Sequence, residues 1–136
     1  MTLPGESRVG AALRRETARR IARLEMFGTV DSTNACVMDG DPPVEHYWHV
    51  AIADEQTAGR GRGGKRWRSG PGAGLWMSAA YTFETPPARL SSLTLVLGAV
   101  IAAELESIGL DRIQLKWPND LVVDGYKLGG ILVESK

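Results

Sequence analysis

Between residues 10 and 24, Leu13, Thr17, Ile21 and Leu24 recur at spacings of four, four and three, with Arg14, Arg15, Arg19, Arg20 and Arg23 on the other faces. That period predicts an amphipathic helix whose arginines form a solvated face. Residues 24–30 then read as a short strand. Asp31-Ser32-Thr33-Asn34 supplies several capping side chains for a second, short helix, which must end before Gly40-Asp41-Pro42-Pro43. A near-continuous apolar run at 47–53 predicts a buried strand, and alternation of apolar and small residues at 74–83 predicts another. Ser91 or Ser92 can cap a long helix that runs to about Ile108 and stops at Gly109. Its apolar stretch, 93–103, is interrupted by Thr94 and Gly98 and followed by Glu104 and Glu106. A bilayer span takes roughly 20 apolar residues, so this stretch predicts a buried helix. Residues 113–117 return as a strand that Pro118-Asn119-Asp120 breaks. Leu121-Val122-Val123, the pair Asp124-Gly125 and residues 126–133 form a hairpin, Asp-Gly being a strong type I′ turn signal. Helices fall between strands without regular alternation, which predicts an α+β chain with a mixed β-sheet flanked by helices.

With 136 residues the chain allows one domain at most, and 43% apolar with 24% charged residues is ordinary globular usage. The formal net charge is zero, yet Gln56 to Phe83 holds Arg60, Arg62, Lys65, Arg66 and Arg68 and no acid. The remainder must carry the opposite charge, so the positive field is local. Coating of long nucleic acid favours a globally basic surface; a local field favours a small anionic ligand. A single cysteine, Cys36, excludes an internal disulfide, and the polar, Arg-rich start is unlike the apolar stretch of a signal peptide. A cytoplasmic protein with no membrane segment is the expectation.

The cations lie in Gly59-Arg60-Gly61-Arg62-Gly63-Gly64-Lys65-Arg66-Trp67-Arg68. Glycines let backbone N–H groups turn toward a ligand, and arginines supply forked donors for phosphate and carboxylate. Gly59-x-Gly61-x-x-Gly64 matches a dinucleotide fingerprint, but Ser69-Gly70-Pro71-Gly72 leaves no room for the helix that motif must open. Gly64-Lys65 completes a phosphate-loop core, but Arg66 stands where a Ser or Thr must meet magnesium. Arg-Gly-Arg-Gly-Gly also matches an RNA-binding box, usually found in disordered sequence. A surface loop without a ligand stays open on these residues alone.

Four segments together narrow the choice: Asp31-Ser32-Thr33-Asn34; Asp54-Glu55-Gln56-Thr57-Ala58-Gly59-Arg60-Gly61-Arg62; Lys116-Trp117-Pro118-Asn119-Asp120; and Lys127-Leu128-Gly129-Gly130-Ile131-Leu132. In order and spacing, from about Phe27 to the last residue, they resemble the catalytic domain of biotin protein ligases. The resemblance implies a fold like that of class II aminoacyl-tRNA synthetases and biotin synthetases. It also implies the activity: ATP, with Mg2+, activates biotin to biotinyl-5′-AMP, and the biotinyl group passes to a lysine of a biotin carboxyl carrier protein. Ser32, Thr33, Gln56, Gly59, Arg60, Trp67 and Lys127 match biotin-contacting positions. Arg62, Lys65, Lys116, Asn119 and Asp120 are the nucleotide candidates, and Arg60, Arg62 and Lys127 the catalytic ones. Ser32 and Thr33 serve equally well as helix caps. The loop's glycines imply ordering on ligand binding, which excludes water from the adenylate. Gly63 stands where the family often has a basic residue. Trp117 is expected in the core, while His46, His49 and Cys36 lack metal-ligand spacing.

The resemblance runs to the chain's end at Glu134-Ser135-Lys136, where family members continue with further strands and a small C-terminal β-domain. The expectation is a single, partial catalytic domain with an incomplete sheet, lacking that β-domain and the N-terminal DNA-binding domain of repressor-type relatives. No DNA partner is therefore expected, and a homodimer is left open. Alternatives are a biotin-binding fragment without turnover, a lipoate-type acyl ligase, and a nucleic-acid-binding module acting through the Arg-Gly loop.

Overall fold

A computed structural model describes residues 4–136 and divides into two units, one ending at Thr85 and the other running Pro86–Lys136. In the first unit, α1 (Pro4–Ala12) and α2 (Arg15–Arg20) precede β1 (Ile21–Val30), α3 (Thr33–Asp39), β2 (Trp48–Gln56) and β3 (Trp76–Tyr81). The single helix expected over 10–24 is therefore absent. Ile21 onward instead pairs with β2, placing Leu24 opposite Val50 and Met26 opposite Ile52.

β2 is the middle strand, parallel to β1 and antiparallel to β3. Its position explains its apolar run: Val50, Ala51 and Ala53 are buried, with Val37 of α3 beside them in the core. α3 packs on β2 and β3. Ser32 caps it as expected, Oγ accepting from Ala35 N at 3.4 Å. One polar side chain sits in the sheet interior, His49, 2% exposed. Its Nε2 lies 2.6 Å from Glu25 Oε2 on the neighbouring strand, and Arg23 Nη2 donates to the other carboxylate oxygen at 2.7 Å. Burial pushes the Glu25 carboxyl up, but the bonds from His49 and Arg23 outweigh it and hold the group below the usual range. Burial, with Glu25 and Asp39 nearby, raises the Cys36 thiol, so this cysteine is not an activated nucleophile.

The second unit contains α4 (Leu90–Ser107) and the antiparallel strands β4 (Ile113–Lys116), β5 (Asp120–Val123) and β6 (Tyr126–Gly130), in that order across the sheet. α4 opens at Arg89 with no side-chain cap; Ser91 and Ser92 lie inside its first turn. Its inner stripe meets β4 through Gly98, where a Cβ would stand 3.1 Å from Leu115 Cδ2. The expectation of a buried helix does not hold, since Val96 and Val100 are 58% and 56% exposed and only Gly98 is buried. By length and composition alone α4 is long and apolar enough to cross a membrane; one face of it packs on the sheet instead. Asp124 and Gly125 both adopt positive φ, 51° and 83°, as the type I′ hairpin requires. Trp117 is also not core: it is 75% exposed, because β4 ends at Lys116 and the ring belongs to the turn that follows, across a cis Trp117–Pro118 bond.

Candidate active site

At the end of β2 the chain builds a polar cluster around Gln56. Thr33 N donates to Gln56 Oε1 at 2.8 Å. A backbone N–H can only donate, so the atom it meets must be the amide oxygen, and Nε2 is left to face the opposite way, beside Gly59. Thr33 Oγ1, 3.1 Å from the same oxygen, must then donate to it as well. Its partner on the other side, Ser78 Oγ at 2.8 Å, supplies a proton in turn. Ser32 and Thr33 are buried at 4% and 2% exposure. Ser32 caps α3 and Thr33 orients the Gln56 amide, roles that are compatible with the expected ligand contact.

The Arg-Gly loop leaves directly from this cluster. It closes on itself as a narrow ladder: Trp67 N donates to Gly59 O at 2.8 Å and Gly61 N to Lys65 O at 2.7 Å. Gly63 and Gly64, with φ of 69° and 74°, turn the chain at the tip, a conformation that a side chain would strain. No helix follows, as the dinucleotide motif would need. Gly59 is buried, and a Cβ there would lie 3.0 Å from Trp67 O, so the rung admits no side chain. Arg60 Nη2 reaches Asn34 Oδ1 at 2.9 Å, and Arg66 Nη2 donates to Thr57 O at 3.0 Å. Arg62, Lys65, Arg66 and Arg68 are exposed. Trp67 meets Trp76 edge to face, ring centroids 6.3 Å apart, and an open groove runs between Gln56, Arg66, Trp67 and Ser69.

The other candidates lie in the second unit. Lys127 Nζ is 2.7 Å from Asp120 Oδ1 across the β5–β6 hairpin. Lys116 is paired in register with Asp120 and is exposed. Asn119 is held by the backbone: its Nδ2 donates to Ile131 O at 3.1 Å, and Ile131 N donates to Asn119 O at 2.8 Å. These bonds end β6 at Gly130, short of the expected 133. The crevice beside Asn119 is about 10 Å³, enough for one water. Among the described residues no group of three or more His, Cys, Asp or Glu could hold a metal ion.

Sequence reasoning passed over Asn34, Ser69 and Ser78 as site residues. Ser78 carried a faint signal, a polar residue in an otherwise apolar alternation; Ser69 was legible only as a breaker.

Residues 28–136 match the model of the biotin/lipoate A/B protein ligase family. The chain is 43% identical over 111 residues to the bifunctional ligase/repressor BirA of Escherichia coli, covering 82% of this chain and 34% of that protein. It is 35% identical over 128 residues to the biotin–[acetyl-CoA-carboxylase] ligase of Paracoccus denitrificans, covering 81% of this chain and 46% of that one. Among solved structures, a biotin protein ligase from Aquifex aeolicus in complex with biotin and ATP aligns with a TM-score of 0.73 at 34% identity, over 84% of this chain and 47% of that one. The chain thus spans about a third to a half of the length of these relatives. The likenesses support the α+β, synthetase-like fold class.

Proposed function

This chain belongs to the biotin/lipoate A/B protein ligase family, and from that premise we propose that it activates biotin with ATP and passes the biotinyl group to a lysine of a carrier protein. A carboxylate oxygen of biotin attacks the α-phosphorus, and pyrophosphate leaves. The acceptor amine then attacks the anhydride carbonyl, AMP leaves, and an amide forms with loss of a proton. Magnesium enters with the ATP.

The observation that carries this reading is the fixed polarity of Gln56. Its amide oxygen is taken by Thr33, so its Nε2 is offered to a ligand beside Gly59. A cyclic urea presents a carbonyl acceptor that such a donor can bind, whereas the dithiolane ring of lipoate has no matching group. Gly59 and Arg60 meet the ligand's tail, and Trp67 supplies an apolar face. Arg62 and Lys65, exposed on the loop, suit the negative charge of the phosphates as pyrophosphate departs. Lys127, its ammonium fixed by Asp120, suits the reacting carboxylate and α-phosphate. Lys116 is a further phosphate contact; Asn119 supports the turn. The cytoplasm, which supplies ATP, is the compartment we assign.

Biotin-dependent exchange of pyrophosphate into ATP tests the proposal. Exchange that needs biotin and is unaffected by lipoate is the expected result. Saturable biotin binding without exchange would reduce the chain to a binding fragment. Tighter binding of lipoate than of biotin would reassign the substrate.

A further inference from the structure

Below the two backbone rungs that close the Arg-Gly loop lies a third rung of a different kind. Gly61 with Lys65 and Gly59 with Trp67 are joined through main-chain atoms. One step nearer the sheet, Gln56 is joined to Ser69 by a side chain: Ser69 Oγ accepts from Gln56 N at 2.8 Å and donates to Gln56 O at 2.9 Å. A single hydroxyl thus satisfies both backbone groups of the residue whose side-chain oxygen is held by Thr33. Gln56 is clamped at three atoms, and one of the clamps is the exit of the loop.

We propose that Ser69 is a positioning residue that couples the ring-reading amide of Gln56 to the Arg-Gly loop, so that occupation of the Gln56 side restrains the loop's cations. The inference rests on the biotin reading above. A ligand that pulls on Gln56 Nε2 fixes the Gln56 backbone, and the Ser69 hydroxyl transmits that restraint to the strand leaving the loop, two residues from Trp67. The upper rungs then move as one piece, because they are closed at Gly59 and Gly61. Without the hydroxyl the same backbone groups turn to water, both of them lying at a partly exposed edge, and the loop is freed from Gln56 while its own two rungs stay intact.

The loop's cations make a direct reporter, since trypsin cleaves after Arg60, Arg62, Lys65, Arg66 and Arg68. In the full 136-residue chain, saturating biotin should slow cleavage within 60–68 by about tenfold, the size of an ordinary coupling between sites. In Ser69→Ala, again at saturating biotin, the slowing should fall below about twofold. Ser69→Thr, which keeps the hydroxyl, should restore it. Ser69→Cys keeps the volume with a poor donor and should behave as Ala, which preserves the test if Ala lowers the melting temperature. Wild-type and Ser69→Ala chains that bind biotin with equal loop protection would overturn the coupling and leave the biotin reading standing. Biotin binding with no protection in the wild type would also overturn it. A wild-type chain that does not bind biotin would overturn both.

Discussion

Arg60 donates to Asn34 Oδ1 at 2.9 Å, joining the entry of the Arg-Gly loop to the first turn of α3. The bond is exposed, so its contribution to folding is small, yet it fixes where the loop departs. Asn34→Ala should change unfolding free energy by less than about 0.5 kcal/mol. The KM for biotin should rise several-fold with kcat little changed. A thermal melt beside steady-state kinetics measures both; a destabilisation as large as the kinetic loss would mean that Asn34 holds α3 and not the loop.

Arg62 lies at the loop tip, exposed, in the short turn Arg62–Gly64. It carries little packing. Arg62→Ala should therefore leave the melting temperature within a degree or two, on the order of a surface substitution, while adenylate formation falls by about a hundredfold, the scale of losing one transition-state donor. Pyrophosphate exchange and a thermal melt separate the two quantities.

Lys127 and Asp120 form a partly exposed pair at 2.7 Å. Such a pair adds roughly 0–1 kcal/mol to stability, so its value is in aiming the ammonium. Asp120→Asn keeps the shape and removes the charge. Exchange activity should fall about tenfold with under about 1 kcal/mol lost from stability, and Lys127→Met should abolish exchange.

The sequence foretold β2 and the type I′ turn well, because local signals and tertiary environment agree there: an apolar run becomes the middle strand, and Asp124-Gly125 takes the two positive φ values it favours. It misread residues 10–24 because helical spacing at Ile21 and Leu24 competes with strand pairing to Trp48 and Val50, which is not local. It read α4 as buried because hydrophobicity does not say how many faces are covered. At the site, motifs identified Gln56 and the loop but not the clamps on them. Ser78 is 45 residues from Thr33, and only the packing of α3 on β3 brings them together. Trp117 shows the reverse error, a large apolar residue taken for core when it sits in a turn.

Gly98 permits a calculation of opposing terms. An alanine there gains about 0.8–1 kcal/mol of helix propensity. Its Cβ would stand 3.1 Å from Leu115 Cδ2, the far end of a flexible side chain that can move aside. Gly98→Ala should thus be within about 0.5 kcal/mol of wild type, and Gly98→Val, which adds two more carbons, should cost about 1–3 kcal/mol. Chemical denaturation of the two variants checks the order; equal losses would show that Leu115 cannot yield.

The Glu25–His49 pair gives the chain an acid-sensitive joint between β1 and β2. The folded carboxyl titrates below its ordinary value of 4.5, with burial opposing and the bonds from His49 and Arg23 prevailing. A folded value below the unfolded one means that the carboxylate's stabilisation is fully present above about pH 4.5 and is lost as pH falls through the folded value. Glu25→Gln cannot titrate. It should lower stability by about 1.5–3 kcal/mol at neutral pH, the scale of a hydrogen bond to a charged group, and flatten the decline below pH 4.5. Because His49 is 2% exposed, the variant leaves a buried imidazole against a neutral amide, so the loss should exceed that of Arg23→Gln, whose side chain is 59% exposed. Melting curves of the three proteins from pH 7 down to about 3 test this; parallel acid limbs for wild type and Glu25→Gln would remove Glu25 from the acid response.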